Sequence, residues 1–452
     1  MPEMSLISRY NARVPRYTSY PTAPNFVSGF PGETYADWLD ALQEDQPISL
    51  YVHVPFCDRL CLYCGCTTTV VRQEAPLLRY ADLLIAELEL IAFQIGRRAR
   101  VSAVHWGGGT PTQLPASALI RIMGSIRRLF EVDSDAEIAI EIDPTSLAVD
   151  RLSALASMGI TRASLGVQDL NPEVQAAIGR RQSYDQTARC ADELRRLGIG
   201  SLNLDLIYGL PLQTEESVAD TARRALGLRA DRVAVFGYAH VPWMKRHQKL
   251  IQDSQLPGPR ERFRQRRVIS QVLEQDGYHP VGLDHFARPS DQLARSEQAG
   301  TLHRSFQGYT TDTAQVLLGI GASSIGTLPQ GYVQNAPDVP GYAAAITQGR
   351  LATVRGIELS PDDMLRRAVI EQVMCHLAVD LDALAAAHCL PAEALHDSAR
   401  ALAPFEEDGL VRRRGTIIEV TEQGRPFVRN VAAVFDAYLA APGAGLRHSA
   451  GV

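Results

Sequence analysis

Six short β-branched runs, each followed by a stretch of different period, constrain this chain more than any other feature. The runs are Ser49 to Val54, Val101 to Trp106, Ala136 to Ile142, Arg162 to Val167, Leu202 to Ile207 and Arg232 to Phe236. Between them, Leu77 to Ile95, Ala116 to Phe130, Asp150 to Met158, Tyr184 to Leu197 and Thr214 to Leu228 carry apolar residues at helical spacing. Apolar strands alternating with helices pack as a parallel sheet, in a barrel or a doubly wound layer. Polar residues at the strand ends choose between the two. The first run leads into a cysteine loop, the second into Gly107-Gly108-Gly109-Thr110-Pro111, and the third ends in Glu141 and Asp143. Gln168 and Asp169 follow the fourth, Asp205 and Tyr208 close the fifth, and Tyr238 and His240 follow the sixth. Polar groups on so many successive strand ends converge only round a common axis; a doubly wound sheet gathers them at one switch point. The expected fold is α/β, an incomplete parallel (β/α) barrel whose C-terminal mouth is the active site.

The cysteine loop gives that mouth its chemistry. Four of the seven cysteines lie in one decapeptide, Cys57-Asp58-Arg59-Leu60-Cys61-Leu62-Tyr63-Cys64-Gly65-Cys66. Closely spaced thiolates are soft ligands that select iron–sulfur clusters or zinc. Cys57, Cys61 and Cys64 read as three ligands of a 4Fe–4S cluster, which leaves one iron open and makes the reading catalytic. Structural zinc is the alternative, but no second C-x-x-C or H-x-x-x-H completes a knuckle. Cys190, Cys375 and Cys389 stand in helix-like segments and are expected to be buried small hydrophobes.

A chain of 452 residues has room for two or three folding units. With 46% hydrophobic and 21% charged residues it is an ordinary globular composition, and a net charge of −6 argues against a general nucleic-acid binder. The first ten residues have no apolar core of a signal peptide. Glu87 and Glu89 interrupt the apolar run near Leu83, so no membrane span is expected. A cytoplasmic monomer is the expectation.

Three parts are expected. Residues 1–47 read as an irregular arm or lid, with Tyr10, Tyr17, Tyr20 and Phe26 spaced along it. Residues 48–350 form the barrel and its extension, which includes a basic amphipathic helix at Arg260 to Gln275 and a strand within Gly277 to Phe286. The apolar, glycine-rich segment Leu317 to Gly326 suits close approach to a flat ligand or tight core packing. Residues 351–452 read as a mainly helical, winged-helix-like module. Its helices are expected at Asp362 to Leu377, Asp380 to His388, Pro391 to Glu407 and Pro426 to Leu439, with a hairpin near Arg413 to Thr416. It lacks a sustained basic stripe, so docking on the barrel outranks DNA binding. The tail after Ala441 is expected to fray.

Single residues admit two readings each. Gly107 to Gly109 either let a ligand approach the backbone or form a tight strand-to-helix turn. Glu141 suits the two hydroxyls of a ribose, or an arginine partner; Asp205 raises the same choice. Gln168 and Arg180 suit a carboxylate-bearing ligand, unless Arg180 is a solvated surface residue. His240 is a candidate proton donor or acceptor, or a satisfied structural histidine.

Taken together, the cysteine loop, the glycine turn and the strand-end Glu141 resemble the radical S-adenosylmethionine enzymes. More narrowly, the chain resembles the oxygen-independent coproporphyrinogen III oxidases, also called coproporphyrinogen dehydrogenases. The matching pieces include Tyr17 to Ala23, Tyr51 to Cys66, His105 to Thr112, Gly166 to Asp169, Asp205 to Pro211, Asp284 to Ala287 and Phe306 to Thr311. Arg429-Asn430 and Phe435-Asp436 extend the match. The resemblance implies that Cys57, Cys61 and Cys64 hold the cluster, whose open iron binds S-adenosylmethionine. It implies reductive cleavage to a deoxyadenosyl radical, which takes a hydrogen from a propionate that then loses carbon dioxide. Two propionates of coproporphyrinogen III become vinyl groups, giving protoporphyrinogen IX.

By the same resemblance, Tyr51, Gly108, Gly109, Thr110, Glu141 and Ile325 meet a first S-adenosylmethionine. Tyr63, Gln168, Arg180, Asp205 and Ala239 meet a second. Cys66 is an extra cysteine that does not ligate the cluster, and Tyr51, Cys66 and His240 make up the expected catalytic set. Thr67-Thr68-Thr69 replaces a more usual asparagine and basic residue, Gly179 stands where asparagine is common, and Arg181 competes with Arg180. The tetracarboxylate substrate calls for local arginines at the mouth, with Arg13, Arg16, Lys245 and Arg246 as candidates. The implied partner is a low-potential electron donor such as flavodoxin or ferredoxin. The rival is a haem chaperone on the same scaffold, whose relatives typically lack the fourth cysteine and the Tyr17 to Pro21 arm.

Overall fold

The computed structural model describes residues 2–440, so the tail after Ala441 lies outside the described residues. Seven strands run parallel: β1 (Ile48–Val54), β2 (Arg100–Gly108), β3 (Glu131–Ile142), β4 (Arg162–Gln168), β5 (Ser201–Tyr208), β6 (Arg232–Gly237) and β7 (Val316–Ile320). Their order in the sheet is β7-β1-β2-β3-β4-β5-β6. Antiparallel strands extend both ends. Ile325–Leu328, Gly331–Asn335, Thr353–Glu358 and Val27–Ser28 continue beyond β7, while His285–Ala287 and His279–Val281 continue beyond β6. The two outermost strands do not pair with each other, so the sheet stays open and the barrel is incomplete.

Period-2 alternation sorts each parallel strand into two faces. In β1, Ile48, Leu50, Val52 and Val54 are wholly buried and join the core with Leu77, Leu84 and Leu88 of the helix Glu74–Ile95. Burial of that kind stabilises by roughly 1.5–3 kcal/mol per side chain. Tyr51 and His53 alternate with them and face His105 of β2 and Glu141 of β3 across a polar inner surface.

One carboxylate behind this sheet is deeply buried. Glu87 accepts hydrogen bonds from the Gly321 N–H at 2.6 Å, Asn335 Nδ2 at 2.6 Å and the Tyr342 hydroxyl at 2.7 Å. It pins the turn after β7 to the helix behind β1, and burial pushes its pKa up to about 7. Among the described residues no helix is long and apolar enough to cross a membrane.

The arm differs from its expectation. Rather than being irregular, it forms two helices, Pro2–Tyr10 and Gly32–Asp40. Leu6, Ile7, Tyr10, Tyr17 and Tyr20 pack with Leu365, Val369, Phe405 and Phe427 of the C-terminal region, whereas Tyr35, Trp38 and Leu39 enter the core of the main sheet. The C-terminal helix Pro361–His376 starts at Ser360, whose side chain caps Asp363 N–H while Asp363 answers the Ser360 N–H. Ala378–Asp380, Ile417–Val420 and Val411–Arg414 form the small antiparallel sheet of a wing.

Three sequence expectations fail here. Pro391 to Glu407 breaks into the short turns Ala392–Leu395, His396–Arg400 and Ala403–Glu407, the last opened by Pro404 in its first turn. Pro426 to Leu439 breaks after Ala433, where the Ala437 N–H donates to the Tyr20 hydroxyl of the arm at 3.1 Å. Cys389 is exposed rather than buried, at a positive φ of 54° just past a helix end. Cys190 and Cys375 are buried as expected.

Candidate active site

The cysteine loop leaves β1 through Phe56–Cys57 and returns at Thr69–Val70, which pairs parallel with it. Four external contacts fix its path. Leu62 N–H reaches Ile178 O at 2.9 Å; Gln248 Nε2, His247 Nε2 and Lys245 Nζ hold the carbonyls of Tyr63, Cys64 and Cys66 at 3.0, 2.8 and 3.0 Å. Cys61 is buried, Cys57 and Cys64 half-buried and Cys66 exposed.

The glycine turn is stitched to this loop by its backbone. Gly109 N–H donates to Val54 O and Thr110 N–H to Phe56 O, both at 2.8 Å. A Cβ on Gly109 would stand 2.6 Å from Phe56 O, so that position accepts no side chain, and one on Gly107 would stand 2.8 Å from Glu141 Oε1 and displace that carboxylate. Thr110 Oγ1 lies 3.6 Å from Cys57 Sγ. Glu141 accepts from the Gly108 N–H at 3.2 Å, with His105 Nε2 at 3.4 Å, and keeps 39% of its side chain exposed. The Tyr51 hydroxyl meets His53 Nδ1 at 3.0 Å, and its ring stacks on His105 at 5.8 Å. Burial holds His53 down to about 4, so it is neutral. Ile325 borders Gly319 of β7, which is paired with Tyr51.

A second group gathers on β3 to β5. Arg180, 8% exposed, donates to Asp143 at 3.0 Å and to Gly166 O at 2.7 Å, and lies 3.7 Å from Cys61 Sγ. It is not a solvated surface arginine; its neighbour Arg181 is the exposed one. Gly179 has φ of +67°, a left-handed conformation that both glycine and asparagine adopt, so that departure is conservative. Asp205 accepts from Ser164 Oγ at 3.0 Å and Asn203 Nδ2 at 2.8 Å. Burial, reinforced by the charge of Glu141, pushes it up to about 6. Gln168 ends β4 with φ of +65°. Gln248 links Tyr63 O to Ala239 O, bringing those two residues together.

His240 has both ring nitrogens engaged, by the Tyr238 hydroxyl at 2.9 Å and Asp253 at 3.0 Å, the arrangement of a structural histidine. The four basic candidates do not form one group. Arg13 stacks on Trp243, Lys245 holds the cysteine loop, Arg246 is exposed, and Arg16 alone reaches the β6 end, at Gly237 O. Sequence reasoning assigned no task to Asp143 or Arg59. Asp143 also accepts from Arg59 at 3.2 Å and joins the third strand end to the cysteine loop. Its place at that strand end was the available signal.

Thiolates are the soft ligands that a 4Fe–4S cluster takes, and Cys57, Cys61 and Cys64 lie on one loop. Among the described residues no three His, Cys, Asp or Glu side chains gather closely enough to hold one metal ion. The hydrogen bond from Cys66 lowers the pKa of Cys64, and burial pushes Cys57 up to about 11.

Residues 51–225 match the radical SAM superfamily, and residues 359–427 match the HemN C-terminal domain. Fold and site thus define the class, a radical SAM protein, and the cofactors of that class are a 4Fe–4S cluster and S-adenosylmethionine. The chain is 49% identical over 433 residues to the oxygen-independent coproporphyrinogen III oxidase of Bradyrhizobium diazoefficiens, covering 96% of each. It is 43% identical to that of Paracoccus denitrificans, over 100% of this chain and 99% of the relative. The solved structure of coproporphyrinogen III oxidase (HemN) from Escherichia coli, described as a radical SAM enzyme, superposes with a TM-score of 0.90 at 39% identity. That match covers 96% of this chain and 99% of the other. The chain belongs to the oxygen-independent coproporphyrinogen III oxidase family.

Proposed function

We propose that this protein decarboxylates two propionates of coproporphyrinogen III to vinyl groups without oxygen, giving protoporphyrinogen IX for haem synthesis. The observation that carries the reading is the cysteine loop stitched, backbone to backbone, to a glycine turn that presents an N–H to Glu141. When bound, the cluster and S-adenosylmethionine supply a one-electron route to removing hydrogen from an unactivated carbon.

The chain's own residues hold and orient those groups. Cys57, Cys61 and Cys64 are the cluster ligands, and exposed Cys66 stays free. Gly108, Gly109 and Thr110 offer backbone to the first S-adenosylmethionine, with Glu141 as acceptor for its ribose, and Tyr51 and Ile325 as its walls. A second molecule sits against Tyr63, Gln168, Arg180, Asp205 and Ala239. Arg180, fixed by Asp143, bridges that site to Cys61. The arm and the residues after 351 close the mouth over a substrate too large for the cofactor sites alone. The enzyme acts as a cytoplasmic monomer that takes electrons from flavodoxin or ferredoxin.

An anaerobic turnover assay tests this. Reconstituted protein is given S-adenosylmethionine, coproporphyrinogen III, a reductant and a source of electron acceptor, with products resolved by mass. Loss of two carboxyl groups per porphyrinogen is expected. Haem retention or S-adenosylmethionine cleavage without decarboxylation would overturn the assignment.

A further inference from the structure

Away from the cysteine loop, the mouth concentrates positive charge that neither cofactor site uses. A narrow cleft of about 40 Å³ opens where the ends of β5 and β6 meet the arm, the helix Pro259–Gln275 and the C-terminal module. Five arginines line it, Arg16, Arg262, Arg266, Arg304 and Arg429, against a single carboxylate, Asp284. That carboxylate is already committed. It accepts from His285 Nδ1 at 2.8 Å and pairs with Arg304 at 3.6 Å.

Arg266 and Arg429 hold backbone carbonyls, at Leu283 O (2.8 Å) and Pro15 O (2.9 Å), whereas Arg304 and Arg262 keep donors unused. Arg304 is 4% exposed at its side chain, yet its Nε and Nη1 are buried without a hydrogen-bond partner, and Arg262 Nε is in the same state. Arg16 uses one guanidinium nitrogen on Gly237 O and stands in the open part of the cleft. Burial, then the charge of Arg16, hold Arg429 down to about 9. Guanidiniums gathered out of water with unmade hydrogen bonds are costly unless an anion completes them. Planar forks of this kind match carboxylates two bonds at a time.

We propose that this cleft is the anchor for carboxylates of the substrate that survive the reaction. The inference rests on the activity proposed above and deepens it. An anchor built on charge keeps its grip only on groups that keep theirs, and two of the four propionates of coproporphyrinogen III do. The cleft adjoins the second cofactor group, since Tyr208 follows Asp205 on β5 and Gly237 precedes Ala239. Retained carboxylates held there leave the reacting propionates free to face the cysteine loop.

The test compares wild type with Arg304→Gln, Arg262→Gln and Arg262→Lys, after checking that each holds wild-type iron and sulfide. Two readouts are needed: KM and kcat for coproporphyrinogen III, and binding of protoporphyrin IX, which carries only the retained carboxylates. Each Gln variant is expected to raise KM roughly tenfold to a hundredfold, with kcat moving far less. Protoporphyrin IX affinity should fall by a similar factor, and the Lys variant should recover part of the loss. S-adenosylmethionine cleavage without substrate should not change. Unaltered KM in both Gln variants overturns the anchor while leaving the activity standing. A KM rise with unaltered protoporphyrin IX binding also overturns it, because the cleft would then hold the carboxylates that are lost. Failure of the wild-type protein to decarboxylate overturns the activity itself.

Discussion

The two sides of the mouth are built in opposite ways. On the cysteine side, three successive strand ends supply the centre, and backbone N–H groups do much of the joining: Gly109 to Val54 O, Thr110 to Phe56 O and Gly108 to the Glu141 carboxylate. On the arginine side, Arg16, Arg262, Arg304 and Arg429 arrive from four distant segments, and their side chains supply its charge. A backbone-held site fixes a reactive group with little freedom, as one-electron chemistry beside a cluster demands. A side-chain-held site defines charge and shape more loosely, which is sufficient to grip a large, flexible tetracarboxylate.

The comparison breaks most sharply at Cys61. Cys61→Ser should reduce turnover at least about a thousandfold and lower iron content per chain, whereas Cys66→Ser should keep its iron. Equal iron loss in both would mean that the extra cysteine is a ligand. A smaller effect is expected at Asp143, the joint of the cysteine side. Asp143→Ala leaves Arg180 buried beside Cys61 without its carboxylate, and should cost about 3–5 kcal/mol in denaturant unfolding. A cost near that of a surface pair would show that the backbone alone holds this side.

The smallest effect concerns Glu87, behind β1. Burial raises its folded pKa to about 7, above the unfolded carboxylate range. Between about pH 4.5 and 7 the folded chain therefore keeps a proton that the unfolded chain has lost. This group's contribution falls as pH rises through that window and is constant outside it. Thermal melts of wild type and Glu87→Gln across pH 4 to 8 should diverge in favour of the variant by roughly 1–3 kcal/mol. Parallel profiles would mean that its three donors keep the carboxylate ionised.

The same contrast explains what could be read in advance. The β1 to β6 repeat and the cysteine loop were legible because their signals are local: a period of two, a period of 3.6, four cysteines in ten residues. Glu141 and Asp205 were legible as strand ends. The choice of Arg180 over Arg181 needed the burial that only the folded turn supplies. Arg262 was seen as one residue of a basic helix, and Arg304 not at all, because nothing local marks residues whose partners lie on other segments. Arg13, Lys245 and Arg246 were expected beside Arg16 for their charge, and the loop after β6 turned them elsewhere. The arm looked irregular for a related reason: Leu6, Tyr10 and Tyr20 find their apolar partners more than three hundred residues away.

That arm carries a consequence for how the molecule comes into being. A chain made from its N-terminus presents Leu6, Ile7, Tyr10, Tyr17 and Tyr20 long before Leu365, Phe405 and Phe427 exist to cover them. The parallel strands can assemble meanwhile, but Arg16 and Arg429 cannot line one cleft until the segment around Arg429 has emerged. The mouth is thus completed later than the sheet that carries it, and its doorway stands open in the interval.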